Sequence, residues 1–322
     1  MKAVRVGMGI LILCLLSIQS IASAEDVAFR LNFKPAAPHV VYYLAKERGW
    51  FQEVGINLQI TPGTGSTDSV KLTAAGQFDL AEAAASSLIV GRTQEIPVKA
   101  AAMIYQQSPT MLMVLESSGI KTLKDLIGKR VGVRYQGAVF PEYVALLKKN
   151  GIDRSQLKEI QIGIGETPLF VGQVDALSNY VQEAPRFEKQ FGKKLNILLF
   201  TDYGVNFYAT AIITSESTAQ KKPEMIKKFL STVARTWKYV ETHQEEAVNA
   251  LVKVFPEMEK EALVTELKIF MPLMRNEVTD KNGWGYMVKE RWETDINFFL
   301  EQEVIKKKVD AEACYSNAFI AR

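Results

Sequence analysis

From Val27 to about Phe200, strand-like and helix-like runs alternate, and this alternation limits the possible folds more than any other feature of the chain. Val27 to Phe33 alternates apolar and polar residues, as a strand with one buried face does. His39 to Trp50 reads as a helix stopping near Gly49. Ile56 to Ile60 is strand-like, Asp68 to Ala75 is helical and closed by Gly76, and Phe78 to Ala81 is a short strand. The pattern then restarts. Pro109 to Leu115 and Arg130 to Arg134 read as strands, Lys121 to Ile127 as a short helix, and Pro141 to Asn150 as a helix ended by Gly151. Extended runs around Ile160 and Ile162, over Val174–Leu177 and over Leu195–Phe200 complete the second set. Such alternation calls for mostly parallel sheets joined by crossover helices. After a last extended run, Phe207–Thr214, the chain turns helical. Ile226, Phe229, Leu230, Val233, Trp237 and Val240 recur at helix spacing behind Pro223.

No repeat and no long Gly/Ser linker separates the two α/β sets, so they meet through short extended crossings. Met111–Leu115 and Phe207–Thr214 are the candidates. The expected fold is α/β and two-lobed, each lobe a mostly parallel sheet flanked by helices. One lobe is expected from residues 25–115 plus 207–322 and the other from residues 116–206. Two lobes on two crossings suit hinge closure.

The N-terminus reads as a secretory signal peptide over residues 1–24. Lys2 and Arg5 precede an apolar run from Val6 to about Ile18, and Ala22-Ser23-Ala24 supplies a small-x-small cleavage pattern. The run is shorter than the roughly 20 residues a membrane-spanning helix needs. Cleavage after Ala24 is expected, with export to the periplasm. The 322 residues carry a formal net charge of +3, which loss of Lys2 and Arg5 brings nearer zero. That balance points to neither nucleic acid nor an anionic membrane as partner. Removal of the leader leaves Cys314 as the one cysteine, so no internal disulfide forms. With His39 and His243 the only histidines, no multi-His metal site is expected.

Candidate ligand contacts fall at strand ends, which face the crevice in open α/β sheets. Phe33 ends the first strand and can stack on a flat ring or pack in the core. His39 opens the next helix and can donate to a ligand or bond the backbone. Gly65 and Ser66 lie in Pro62–Asp68, a glycine-containing turn before a helix. Its free N–H groups suit an anion, and Ser66 alternatively serves as a cap. Glu82 follows Phe78–Ala81 and can accept hydrogen bonds from an aminopyrimidine edge, or be a solvated loop acid. Tyr105, with Gln106 and Gln107, ends another strand, and Tyr135-Gln136-Gly137 is the corresponding loop of the second set. Asp202-Tyr203-Gly204 stands beside the return crossing, with Tyr203 a stacking wall or Asp202 bonding its own turn. Arg134 is the basic residue placed nearest the cleft.

The stretches "LNFKPAAPHVVYYLAKERGWFQEVGINLQITPGTGS" and "AAGQFDLAEAAASSLIVGRTQEIPVKAAAMIYQQSP" resemble the periplasmic solute-binding proteins for thiamine pyrimidine precursors, riboflavin, nitrate, sulfonates and taurine. "VDALSNYVQEAP", "DYGVNFYATAIIT" and "GWGYMVKERWETDINFFLEQEVI" are closer to the thiamine-pyrimidine and riboflavin branch. The resemblance spans nearly the whole chain after the leader. It implies a type II periplasmic-binding-protein (flytrap) fold serving an ATP-driven (ABC) importer. It places a recurring His at His39, a Trp where Phe33 stands, and a Tyr before Asn-Glu-Pro where this chain has Tyr180-Val181-Gln182-Glu183-Ala184-Pro185. Tyr180 and Glu183 therefore join the binding candidates.

The same superfamily contains a cytosolic pyrimidine synthase with a Lys and a His shortly after the strand matching Phe78–Ala81. Here Ala83-Ala84-Ala85-Ser86-Ser87 fills that stretch, so a binding protein rather than an enzyme is expected, with no cofactor. The favoured ligand is a thiamine pyrimidine precursor, with riboflavin or a sulfonate or nitrate as alternatives. The expected partner of a monomeric chain is an inner-membrane permease, or a membrane receptor in a sensing role.

Overall fold

The computed structural model describes residues 24–135, 139–163 and 165–321. The leader before Ala24 and the Gln136-Gly137 pair lie outside the described residues.

Ten strands form two five-stranded sheets. The first takes β1 (Glu25–Arg30), β2 (Ile56–Thr61), β3 (Leu80–Ala84), β4 (Val98–Met103) and β10 (Thr210–Ser215), in the order β2-β1-β3-β10-β4. The second takes β5 (Thr110–Leu115), β6 (Arg130–Val133), β7 (Lys158–Gln161), β8 (Ala176–Tyr180) and β9 (Leu195–Leu199), in the order β7-β6-β8-β5-β9. In each sheet the pairs on one side are parallel, as for β1 with β2 and β3, and β6 with β7 and β8. The strand arriving from the other half runs antiparallel to both neighbours: β10 between β3 and β4, and β5 between β8 and β9.

Thr110–Leu115 is therefore not a crossing but an interior strand of the second sheet. Met111 and Met113 pack into the core on one face, Leu112 and Val114 into that on the other. A strand apolar on both faces needs cover on both, which an exposed hinge segment cannot supply. β10 repeats the pattern, with Ile212 on one face and Ala211 and Ile213 on the other. The connections between sheets shorten to residues 104–109 and 200–209.

The first lobe is covered by Val40–Glu47, Pro223–Val240 and Gln244–Val254. Pro223 occupies the first helical turn, where its missing N–H costs nothing. The buried stripe of that helix sets Phe229 against Phe29, ring centroids 5.0 Å apart. Gly63 is required: a Cβ there would lie 2.0 Å from the Leu31 carbonyl oxygen, so only glycine lets this loop close over β1. Behind the connections runs Lys289–Glu301, whose Phe299 meets Phe207 at 4.6 Å and whose Trp292 is fully buried.

Candidate functional site

A cavity of about 960 Å³ opens between the two sheets, near the upper end of the range for small-molecule sites. Part of its lining comes from residues at or just beyond strand C-termini. Asn32 to His39 follow β1, Thr64 to Ser66 follow β2, Arg134 and Tyr135 follow β6, and Tyr180 ends β8. Six aromatic rings line it: Phe33, Tyr105, Tyr135, Phe140, Tyr143 and Tyr180.

Nine of the eleven residues singled out in the sequence line this cavity: Phe33, His39, Gly65, Ser66, Glu82, Tyr105, Tyr135, Tyr180 and Glu183. Phe33 is half-buried and belongs to neither core, so its ring faces the cleft. Tyr135 is 43 % exposed, its ring edge-on to Phe140. Ser66 is buried, and its Oγ accepts the Ala84 N–H at 3.0 Å, tying its helix to β3.

Asp202 and Tyr203 are not in the cleft. They form a single turn, Phe200–Tyr203, in which Asp202 is exposed and Tyr203 packs against a hydrophobic core drawn from both sheets. The Tyr203 carbonyl accepts from Asn150 Nδ2 at 3.3 Å. Gly204 is left-handed, φ +76°, and turns the chain away from the crevice before β10 begins.

Glu82 also departs from expectation. It sits within β3 rather than after it and is 2 % exposed. The Tyr42 hydroxyl donates to its Oε1 at 2.7 Å, and His39 Nε2 lies 3.0 Å from its Oε2. His39 Nδ1 accepts the Ala36 N–H at 2.9 Å, so the ring proton is on Nε2 and is directed at the carboxylate. The Asn32 N–H lies 3.4 Å from the same Oε2. Both oxygens are thus engaged by protein donors, and the acid anchors the β1 loop against β3.

Glu183 is the carboxyl suited to reading a ligand edge. Burial pushes it up to about 8, the nearby Glu266 and Glu166 add to this, and Arg186 opposes it. Arg186 Nη2 bonds its Oε2 at 2.8 Å, while Oε1 meets no partner among the described residues. Arg186 escaped sequence reasoning. Its Nε bonds Glu266 Oε1 at 2.7 Å, joining Ala184–Phe191 of the second lobe to Lys260–Phe270 of the first. Only the i, i+3 spacing from Glu183 hinted at it. Arg134 does face the cavity, with its Nε and Nη2 donating to the carbonyls of Gly163 and Gly165 at 3.1 and 2.7 Å.

Beside the cleft, a second buried acid joins the lobes. Glu142 accepts from Thr110 Oγ1 at 2.7 Å and from Ser86 Oγ of the first lobe at 3.3 Å, with Ser108 Oγ at 3.4 Å. Burial pushes its carboxyl up from an ordinary value of 4.5 to about 7, against the lowering effect of these hydroxyls. Between those values the folded chain holds a proton that the unfolded chain has released. Stability from this site is therefore full below about pH 4.5 and declines as pH rises toward 7. We expect Glu142→Gln to remove a decline of roughly 3 kcal/mol across that window. Denaturant midpoints at pH 4.5 and 7.5 check it. The remaining slope would come from Asp295 and Glu183, which burial also pushes up, to about 7 and about 8.

Two α/β lobes, each with an antiparallel strand received from the other, around an aromatic-walled cavity at their strand ends, define the flytrap fold of the periplasmic solute-binding proteins. The chain belongs to the NMT1/THI5-like family, whose model matches residues 36–247. It is 26 % identical over 325 residues to the formylaminopyrimidine-binding protein of Halalkalibacterium halodurans, covering 95 % of this chain and 96 % of that one. The riboflavin-binding protein RibY of Chloroflexus aurantiacus is 22 % identical over 304 residues, with coverages of 92 % and 86 %. A 4-amino-5-hydroxymethyl-2-methylpyrimidine phosphate synthase of Legionella pneumophila is 23 % identical over 300 residues, with coverages of 91 % and 92 %. In fold, the chain matches the alkanesulfonate-binding protein SsuA of Xanthomonas axonopodis pv. citri with a TM-score of 0.71 at 14 % identity, covering 92 % of this chain and all of that one.

Proposed function

We propose that this chain is the exported solute-binding component of an ABC importer and closes on a neutral or cationic heteroaromatic, an aminopyrimidine of the thiamine-precursor kind. The observation that carries the reading is the charge of an aromatic-walled cleft. Seven carboxylates line it against four Lys and Arg side chains, and Arg134 and Arg186 have donors bound to carbonyls and acids. An anion would meet few free donors there. A raised carboxyl such as Glu183 can give its proton to a ring nitrogen while accepting from the adjacent amino group. Flat rings stacking on the aromatic walls would supply the apolar burial. Riboflavin is the second reading, favoured by a cavity larger than one pyrimidine ring needs.

Export with cleavage after Ala24, action as a monomer, and recognition of the closed form by a permease complete the proposal. Residues 25–103 and 210–321 would move as one lobe and 110–199 as the other. The binding role is favoured over synthesis because Ala83–Ser87 offers neither lysine nor histidine.

Calorimetric titration of the chain from residue 25 tests this. 4-Amino-5-hydroxymethyl-2-methylpyrimidine or riboflavin should bind, and at a hundredfold excess over Kd should stabilise the fold by about 2.7 kcal/mol. Response to taurine or nitrate, with none to pyrimidine or flavin, would overturn the reading.

A further inference from the structure

The cavity contains three neutral polar side chains with bonding capacity that the protein leaves unused. Gln182 is 1 % exposed, and its Nε2 donates across the lobes to the Tyr105 hydroxyl at 3.1 Å. Its Oε1 is buried with no partner. The Tyr105 hydroxyl serves as acceptor in that bond, and its own hydrogen has no acceptor among the described residues. The ring is held by Phe270, edge-on at 4.5 Å. Thr210, 2 % exposed, has an Oγ1 that is buried and unpartnered. Its carbonyl accepts from the N–H groups of Ile104 and Tyr105, so it stands on backbone next to the phenol.

Buried polar groups are ordinarily hydrogen-bonded, and an orphan is costly. Two orphaned atoms and one half-used hydroxyl lining one cavity point to a ligand that satisfies them. Together they offer a donor from Tyr105, an acceptor from Gln182 and a hydroxyl at Thr210 that serves as either. None carries charge. The nearby Glu82 has both oxygens engaged, and Glu266 gives Oε1 to Arg186 while its Oε2 is buried without a partner. An anionic substituent placed here would be buried beside the acids Glu82, Glu183 and Glu266, which already act on the Tyr105 hydroxyl.

We infer that Gln182, Tyr105 and Thr210 form a specificity subsite for a neutral polar substituent of the ligand that both donates and accepts, of the hydroxymethyl, formamido or polyol class. The inference rests on the heteroaromatic reading above but concerns a different part of the ligand from the edge read by Glu183.

The test is calorimetry on the chain from residue 25 with three 4-amino-2-methylpyrimidines, bearing methyl, hydroxymethyl or carboxyl at position 5. Wild type should prefer hydroxymethyl to either other group by about tenfold or more. Thr210→Val and Gln182→Met should remove most of that preference by weakening the hydroxymethyl compound, leaving the methyl compound within about threefold. Thr210→Ser should retain the preference, which separates loss of the hydroxyl from loss of packing. Equal affinity of wild type for methyl and hydroxymethyl, or equal losses for both in the variants, would overturn the subsite. If no pyrimidine binds, riboflavin against lumiflavin poses the same contrast. A riboflavin preference lost in Thr210→Val would then uphold the subsite while the pyrimidine reading falls alone. Failure of both pairs would overturn both.

Discussion

Glu82→Ala is expected to destabilise the protein by about 3 kcal/mol, because the Tyr42 hydroxyl, His39 Nε2–H and Asn32 N–H lose one shared acceptor. Each orphaned buried donor costs roughly 1–3 kcal/mol. Water entering from the cleft offsets part of the sum, since Glu82 borders the cavity. Glu82→Gln should fall between, as its amide oxygen still accepts while its NH2 faces a donor. Denaturant unfolding reads both. A loss below about 1 kcal/mol for the alanine variant would mean that the acid is solvated rather than shared. Ligand affinity is a separate readout: a disordered β1 loop would displace Phe33, so affinity should fall as well.

Arg186→Met is expected to weaken ligand binding about tenfold while changing the unfolding free energy far less. The guanidinium joins Glu183 of one lobe to Glu266 of the other. Glu266 is 1 % exposed and, without its cation, would have to be neutralised or hydrated. Breaking a buried pair costs 3–5 kcal/mol, but Arg186 is about one-third exposed, and half that range or less is the reasonable share. The cost falls on the closed form alone, because opening parts the two helices. Affinity then drops by the fraction of molecules no longer competent to close. Faster dissociation in stopped-flow, with association nearly unchanged, is the expected signature. Unchanged affinity would mean that the clasp contributes nothing to closure. Lys189, bridged to Glu259 at the same seam, is exposed and should matter little.

The alternating strands and helices were legible because local signals sufficed: period-two and helical patterns, and glycines such as Gly49 and Gly76 at helix ends. The strand-end rule pointed Phe33 and Tyr135 at the crevice for the same reason, whereas Tyr180 came from the family resemblance. What failed was long-range pairing. Nothing within Thr110–Leu115 tells that its two neighbours arrive at residues 176 and 195, so by local pattern alone a strand of the second sheet looks like a hinge. Glu82 resembled a loop acid because Tyr42 and His39, which engage it, lie 40 and 43 positions away. Arg186 became visible only when Glu266, 80 positions on, was brought beside it. Asp202 and Tyr203 were drawn toward the cleft by their nearness to the crossing, whereas one 3-10 turn and Gly204 carry them to its outside.

Capture by closure is the central claim, and pulsed electron spin resonance between the lobes tests it most directly. Spin labels at Lys194 and Lys260, both exposed and on opposite lobes, report the separation across the Arg186 clasp. Cys314 is buried and does not compete for label. With 4-amino-5-hydroxymethyl-2-methylpyrimidine, or riboflavin if that is what binds, a broad distribution should collapse to a single shorter distance. Saturation of the site with no change in that distribution would contradict the account.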